Sequence, residues 1–229
     1  MHLEEFSVEP FVHHDTLNPL LWQDLQLLPD VRRKLLQIAE HFTKFLNVPD
    51  MQIEDITISG SNASFGYSEF SDVDLHLVVK DAAEQEELYN AKKNQYNSTY
   101  SITVHDIPVE LYVQDSDQTH HSAGIYSLTK NRWIKQPNNQ APVASPQEIK
   151  RKARNYSGQI NYALRSGDLA VAQHTMAELR RLRQAGLEEQ GEHSVENLAF
   201  KLLRARGQID KLRKYIDKLT SAELSLEEE

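Results

Sequence analysis

The sequence contains no cysteine. This absence excludes disulfide bonds, thiolate-bound zinc and cysteine nucleophiles, and it fits a reducing compartment. Long apolar runs are also missing. No stretch approaches the roughly eighteen apolar residues of a membrane-spanning helix, so we expect no membrane-spanning helix. The first ten residues are acidic and contain no long apolar segment, so we expect no signal peptide. Together these absences predict a cytoplasmic protein that does not engage a membrane.

Charge is distributed unevenly along the 229 residues, which carry a formal net charge of −9. Acidic residues outnumber basic ones about two to one in residues 1–147, whereas residues 148–219 carry an excess of six positive charges. An acidic region repels a polyphosphate unless metal ions and a basic neighbour offset the repulsion. The composition therefore predicts that any anionic substrate is received with the help of cations.

Apolar periodicity predicts mixed helices and strands in the first part of the chain and helices in the last part. The predicted elements are a helix over 31–48, a strand over 51–60, a strand over 72–79, a helix over 82–97 and a strand or hairpin over 101–114. The segment 137–146 is rich in Pro, Asn and Ser, and it is the predicted linker. Beyond it, we predict three helices over 147–219, separated near 166–168 and near Gly191.

The most informative stretch covers residues 58–79. Gly60 and Ser61 form a turn signal, and after ten intervening residues Asp72 and Asp74 flank a valine at the start of an apolar strand. Side chains on a strand alternate between its faces, so the two carboxylates point the same way. Two anions on one face repel each other unless a cation lies between them, and a divalent metal such as Mg²⁺ takes carboxylate oxygens.

A third acid, Glu110, lies in the apolar strand VELYV. Taken alone, an edge-strand glutamate that faces water is the simpler interpretation. Beside an aspartate pair on another strand, a shared metal site is favoured, because an ionisable group in an apolar strand needs a partner. Three carboxylates from two neighbouring strands can hold the two metal ions used for in-line phosphoryl displacement. His76 shares the face of Asp74 and can orient a ligating carboxylate, with a hydrogen-bonded structural histidine as the equal alternative.

These residues resemble the nucleotidyltransferase superfamily that includes DNA polymerase beta. More loosely, the run from residues 17–19 through NRWIKQP is similar to small nucleotidyltransferase-like proteins of tailed phages. The resemblance implies an α+β fold: a small mixed β-sheet nucleotidyltransferase domain backed by helices over residues 1–146, followed by an α-helical C-terminal domain over residues 147–229. It also implies two metal ions, Mg²⁺ or alternatively Mn²⁺, and a triphosphate held at the Gly-Ser turn. The positions that match are Gly60, Ser61, Gly66, Asp72, Asp74 and Glu110.

The resemblance implies a reaction as well. A nucleoside monophosphate is transferred from an NTP to an acceptor hydroxyl, and pyrophosphate is released. Asp72, Asp74 and Glu110 are the expected catalytic and metal-binding residues, and Glu110 can accept the proton of the acceptor. Related folds modify RNA ends, small molecules, nucleotides and protein side chains, and the sequence leaves all four acceptor classes open.

The sequence departs from this family in the loop that follows Ser61. Many small members carry an arginine there, whereas NASFGYSEF contains neither Lys nor Arg. We therefore expect the phosphate charge to be balanced elsewhere, by Lys130 and Arg132 in KNRWIK, by Lys135 in the same run, or by the basic helices. This departure also motivates an alternative function, a catalytically weak or inactive nucleotide-binding module.

A further alternative is a nucleic-acid-binding protein that uses the basic runs RRLR and KLLRAR of its C-terminal helices. A solvated helix face with paired charges is the simpler interpretation of these runs.

Overall fold

The structure is a computed structural model, and the residues that it describes are 13–69, 71–118, 122–139 and 145–225. Within these residues it contains a six-stranded mixed sheet, a two-stranded hairpin and six α-helices. The strands are β1 Trp22–Gln23, β2 Gln26–Leu27, β3 Ile53–Ser59, β4 Val73–Val79, β5 Thr103–Val104, β6 Ile107–Asp115, β7 Ile125–Ser127 and β8 Arg132–Lys135. The helices are α1 Pro29–Leu46, α2 Glu86–Thr99, α3 Pro146–Ser166, α4 Leu169–Gln190, α5 Val195–Ala205 and α6 Gln208–Leu224.

The predicted α+β fold with a small mixed sheet is confirmed. The strand order of the large sheet is β5-β6-β4-β3-β7-β8, and β1 pairs only with β2. The pair β4 and β6 is parallel, and the other pairs in the described sheet are antiparallel. Parallel neighbours need a crossover connection, which here contains α2. Strands β4 and β6 therefore run in the same direction, and corresponding positions on them lie side by side.

Alternation along β4 separates the core from the functional face. Val73, Leu75, Leu77 and Val79 are all buried, while the residues between them, including Asp74, are half-buried on the opposite face. The buried face packs in one hydrophobic cluster with the apolar stripe of α1, whose buried side chains include Leu35, Phe42 and Leu46. The sheet therefore has one apolar face and one face that is free to carry polar groups.

The outer edge of β6 is covered in two ways. The hairpin with β5 covers its start through a two-residue turn at His105 and Asp106, which have φ values of 49° and 63°. Farther along, the Asn97 side chain donates to the Leu111 carbonyl at 3.0 Å and accepts from the Leu111 N–H at 3.0 Å. Asn97 thus replaces a missing neighbouring strand and keeps this edge from pairing with another chain.

The chain divides into two compact units, one comprising Val12–Ala141 and the other containing the helices from α3 onward. The prediction of three helices over residues 147–219 was wrong, because this segment falls in four helices, α3 to α6. The predicted breaks near 166–168 and Gly191 are present, and a further break occurs at Gly207, which has a φ of 67°. The side chains of Asp168 and Ser194 accept backbone hydrogen bonds at the starts of α4 and α5.

Two sequence predictions fall on residues outside the described part of the chain. The absence of a signal peptide concerns the first ten residues, and the predicted linker over 137–146 is described only in part. The domain boundary placed between residues 146 and 147 stays a prediction. No helix in the described residues combines the length and apolarity needed to cross a bilayer.

Candidate metal centre and active site

Three carboxylates converge on the polar face of the central sheet. Asp72 directly precedes β4, Asp74 lies on β4, and Glu110 lies on β6. Asp74 and Glu110 are register partners in the parallel pair, so their side chains project from adjacent positions. One oxygen from each of the three carboxylates lies within 4.8 Å of the others, and all three residues are half-buried. The structure therefore brings together the three acids that the sequence predicted as metal ligands.

The chemistry of these donors fits a divalent metal. All three offer only carboxylate oxygens, the ligands that Mg²⁺ and Mn²⁺ take and that thiophilic metals do not prefer. Three neighbouring negative charges with partial burial repel one another, and a cation between them removes that cost. Among the described residues this is the one cluster of three or more acidic, histidine or cysteine side chains with such spacing.

Gly60 provides the space for one of these carboxylates. It follows β3 with φ 74° and ψ −163°, a conformation that only glycine adopts readily. A Cβ placed on Gly60 would overlap Asp74 Oδ2. The sequence predicted that this glycine lets the backbone approach a phosphate, and the structure adds that it makes room for the carboxylate of Asp74.

The loop between Gly60 and Asp72 is fixed by buried side chains. Asn62 is 2% exposed, and its side chain donates to the Asp72 carbonyl at 2.9 Å. The Asn62 side-chain oxygen accepts from Asn18 at 2.8 Å, and the Asn62 carbonyl accepts from the Trp22 indole at 2.7 Å. This connection between the segment before α1 and the start of β4 was missed in the sequence, where an asparagine in a turn-rich loop carries no distinctive signal.

The Ser61 hydroxyl is part of the same loop structure. Ser61 is buried, and its hydroxyl donates to Ser71 Oγ at 2.9 Å. Ser71 Oγ also accepts from the Ser68 N–H at 2.9 Å. Ser61 therefore holds the two ends of the loop together, and its role in nucleotide binding stays a prediction.

Behind the triad, an aromatic residue that the sequence did not single out lies on β6. Burial raises the pKa of Tyr112, and the nearby charges of Asp74 and Glu110 raise it further. The ring of Tyr112 stacks on His76, with 4.9 Å between the ring centroids and 17° between the planes. His76 Nε2 in turn lies 3.1 Å from Ser59 Oγ. The alternation of β6 could have identified Tyr112, since it follows Glu110 by two residues.

The structure does not bring Lys130 to the triad. Lys130 Nζ lies 3.3 Å from Oδ2 of Asp55, a buried residue near the start of β3. Asp55 pairs with Val78, whereas Ser59 pairs with Asp74. Asp55 and Ser59 are four residues apart on β3, a distance of about 13 Å along the strand. The partner of Lys130 therefore lies far from the position on β3 that pairs with Asp74. The contact of Lys130 and Arg132 with a nucleotide stays a prediction.

Lys135, the remaining candidate of the run KNRWIK, lies at the Gly60 end of the sheet. Lys135 pairs with Ile125, and its ammonium donates to the Ser122 carbonyl at 2.6 Å. The Ser122 hydroxyl in turn accepts from the Gly60 N–H at 2.9 Å. Lys135 and Gly60 thus contact the same serine, which places a positive charge beside the turn that lacks one of its own.

The basic helical runs are partly neutralised within the second unit. Arg181 pairs with Glu178 at 2.9 Å, and Arg183 donates to Asn197 at 3.0 Å while lying over the Phe200 ring. These contacts use part of the RRLR run for intramolecular packing. Nucleic-acid binding by these helices stays a prediction.

Comparison with known proteins assigns no family. No protein-family model and no curated protein matches the chain. Among solved structures, the chain is similar to a STING-associated CdnE c-di-GMP synthase from Capnocytophaga granulosa, with 13% sequence identity, 89% coverage of each chain and a TM-score of 0.26. A TM-score this low carries no argument about the activity of this chain, and the functional inference depends on its own residues.

Proposed function

We propose that this chain is a metal-dependent nucleotidyltransferase. It transfers a nucleoside monophosphate from an NTP to an acceptor hydroxyl and releases pyrophosphate. The observation that carries the proposal is the cluster of Asp72, Asp74 and Glu110, whose carboxylate oxygens lie within 4.8 Å of one another beside a glycine turn. The family resemblance seen in the sequence points in the same direction.

Asp72, Asp74 and Glu110 would hold Mg²⁺ or, alternatively, Mn²⁺. When bound, such ions supply the positive charge that neutralises a triphosphate and makes an acceptor hydroxyl easier to deprotonate. Glu110 is also the group proposed to take the proton of the acceptor hydroxyl. The acceptor oxygen then forms a bond to the α-phosphorus, the bond from that phosphorus to the bridging oxygen breaks, and pyrophosphate carries away the electron pair.

Phosphate binding is proposed for the Gly60 turn and Lys135. The Gly60 backbone approaches a ligand without a Cβ in the way, and Lys135 supplies charge at the same end of the sheet. Lys130, by comparison, has the Asp55 carboxylate as its partner. Lys130, Arg132 and Lys135 were the candidates that the run KNRWIK offered for this role, and the contacts through Ser122 favour Lys135 among them.

The test is transfer of label from each α-³²P-labelled NTP, measured with Mg²⁺ or Mn²⁺ and a cell extract as the source of acceptors. Pyrophosphate release is measured in parallel. We expect Asp74→Asn to lower both signals at least about 100-fold. Asp74 is a proposed direct ligand, and loss of a group that only orients a metal ligand already costs up to about 100-fold in activity. Asp117→Asn, an exposed acid on the loop after β6, is the matched control and should retain full activity.

A second candidate function is a nucleotide-binding module with little or no turnover. Two observations favour it: residues 62–70 contain no Lys or Arg, and the Ser61 hydroxyl is engaged by Ser71. Calorimetry with each NTP in the presence of Mg²⁺ separates the two functions. If NTP binding depends on Asp74 but no pyrophosphate is released and no acceptor is labelled, the result contradicts the nucleotidyltransferase and supports the nucleotide-binding module.

A further inference from the structure

Two stacked rings continue the polar face of the sheet beyond the three acids. Tyr112 follows Glu110 by two residues on β6, so both side chains project from the same face, about 7 Å apart along the strand. The register partner of Tyr112 on β4 is His76, which follows Asp74 in the same way. The rings of Tyr112 and His76 stack with 4.9 Å between their centroids.

A lysine of α2 lies against this ring pair. Lys93 Nζ is 5.0 Å from the centroid of the Tyr112 ring. Helix α2 borders the outer edge of β6, because Asn97, one turn after Lys93, exchanges two hydrogen bonds with the backbone of Leu111. Strand β4, which carries His76, lies on the other side of β6. Lys93 therefore reaches Tyr112 from the outer edge of the sheet, one step along β6 from Glu110.

The positive charge of Lys93 is not used by an ion pair within the described part of the chain, where no carboxylate pairs with its ammonium. Lys130, by contrast, pairs with Asp55. The Lys93 side chain is half-buried, and its cation–π contact holds the ammonium over the ring. An ammonium has three N–H donors, so this contact leaves donors for a ligand. Lys93 is therefore a restrained cation with capacity for an anion.

This cation lies on the side of the triad where the acceptor is proposed to bind. Glu110 of β6 is the group proposed to take the proton of the acceptor hydroxyl, so the acceptor lies at β6. The proposed triphosphate contacts, Gly60 and Lys135, lie on the opposite side of β4, because the strand order is β6-β4-β3-β7-β8. Lys93 is thus separated from the triphosphate position and placed beside the acceptor.

We propose that Lys93 binds a phosphate group of the acceptor, which carries this phosphate close to the hydroxyl that receives the nucleoside monophosphate. This inference rests on the proposed nucleotidyltransferase function. An anion beside three carboxylates needs a nearby cation, and a lysine ammonium is a point charge suited to phosphate. A nucleotide and an RNA end both carry a phosphate a few bonds from a sugar hydroxyl. A protein hydroxyl and a neutral or cationic small molecule lack this group.

The first experiment determines the chemistry of the acceptor. The unmodified chain is incubated with each α-³²P-labelled NTP, Mg²⁺ and three fractions of a cell extract, which contain small molecules, RNA and protein. The main labelled product is identified by mass spectrometry. We expect an acceptor that carries a phosphate, and the fraction in which it occurs distinguishes a free nucleotide from an RNA end. Label mainly on protein, or on a small molecule without phosphate, would overturn the proposal.

The second experiment tests Lys93 with the acceptor so identified. Lys93→Met removes the charge and keeps an unbranched apolar side chain against the Tyr112 ring. We expect kcat/KM for the acceptor to fall about 10-fold or more, as for loss of a charged hydrogen bond, while the KM for the NTP stays within about twofold. Lys93→Arg should retain most of the activity, because it preserves the charge. Lys92→Met is the matched control, since the adjacent Lys92 projects about 100° away around α2.

The outcomes separate failure of this inference from failure of the proposed function. If the unmodified chain releases no pyrophosphate and labels no acceptor, the nucleotidyltransferase itself is wrong, and the role of Lys93 falls with it. If a phosphate-bearing acceptor is labelled and Lys93→Met uses it as well as the unmodified chain does, only the role of Lys93 is overturned. An equal loss in Lys92→Met would also contradict that role. Thermal unfolding of each variant ensures that folded proteins are compared.

Discussion

Asp74 Oδ2 lies in the space that a Cβ on Gly60 would fill. The turn after β3 and the carboxylate on β4 therefore pack against each other, and the position of the Asp74 carboxylate depends on residue 60 having no side chain. The positive φ of Gly60 reinforces this requirement, since its backbone conformation is itself unfavourable for other residues.

We predict that Gly60→Ala weakens Mn²⁺ binding at least about 10-fold, because the added methyl group displaces a ligand. Backbone strain should also lower the free energy of unfolding by about 1–3 kcal/mol. Gly158→Ala on α3 is the control, since its Cβ would meet open space and a helical alanine should raise stability by about 0.5–1 kcal/mol. Calorimetry and denaturant unfolding measure the two quantities. Unchanged Mn²⁺ affinity in Gly60→Ala would show that Asp74 does not need this space.

The acidic triad was predictable because it follows from local alternation. The sequence placed Asp72 and Asp74 on one face, and Glu110 in a second apolar strand, from periodicity alone. The pairing of Asp74 with Glu110 is a property of the register between β4 and β6, which is set by packing over the whole sheet. The sequence predicted a shared site for Glu110 because an ionisable group in an apolar strand needs a partner, and the family resemblance pointed to the same residue.

Other features depend on tertiary contacts that no local pattern encodes. In the run KNRWIK, the register between β7 and β8 decides that Lys135, and not Lys130, lies near Gly60. The break at Gly207 was missed because apolar spacing continues across it, and an isolated glycine is tolerated inside helices at about 1 kcal/mol.

Lys135 is expected to contribute to nucleotide affinity. We predict that Lys135→Ala raises the KM for the NTP about 10-fold or more, since a charge-assisted contact to phosphate is worth about 1.5–3 kcal/mol. Lys135→Arg should retain most of the affinity, because it preserves the charge. Arg132→Ala, at the other end of β8, is the control and should stay within twofold of the unmodified chain. Steady-state pyrophosphate release measures the KM of all three variants. A larger rise in KM for Arg132→Ala than for Lys135→Ala would assign the phosphate contact to Arg132.

Lys130 is expected to act on stability rather than on nucleotide binding. Its ammonium is the ion-pair partner of Asp55, whose carboxylate is buried and also accepts a hydrogen bond from Ser127 at 2.7 Å. We predict that Lys130→Met lowers the free energy of unfolding by about 1–3 kcal/mol, because it leaves a buried carboxylate without its counter-ion. Denaturant unfolding measures this loss.

The matched variant for that experiment is the double change of Lys130→Met with Asp55→Asn. A neutral amide needs no counter-ion, so the double variant should recover part of the lost stability. The KM for the NTP should be unaffected by Lys130→Met when measured well below the unfolding temperature. A raised KM with unchanged stability would instead assign Lys130 to the substrate.

Asn62 is expected to influence both stability and the metal centre. Asn62→Ala removes a donor to the Asp72 carbonyl, a part-buried contact of 2.9 Å, and the acceptor for Asn18, a buried contact of 2.8 Å. Because buried polar groups left without partners cost about 1–3 kcal/mol each, we predict a loss of about 2–4 kcal/mol in the free energy of unfolding. Asn138→Ala, an exposed asparagine after β8, should change stability by less than about 0.5 kcal/mol.

The informative measurement on Asn62→Ala is Mn²⁺ affinity under conditions where the variant remains folded. If Asn62 sets the position of Asp72, the affinity should fall in the folded protein, because the backbone that carries this ligand has lost a restraint. Asn18→Ala should reproduce a smaller part of the effect, since it leaves the bond from Asn62 to Asp72 in place. A loss of stability in Asn62→Ala with full Mn²⁺ affinity would limit this asparagine to holding the loop and would separate loop packing from metal binding.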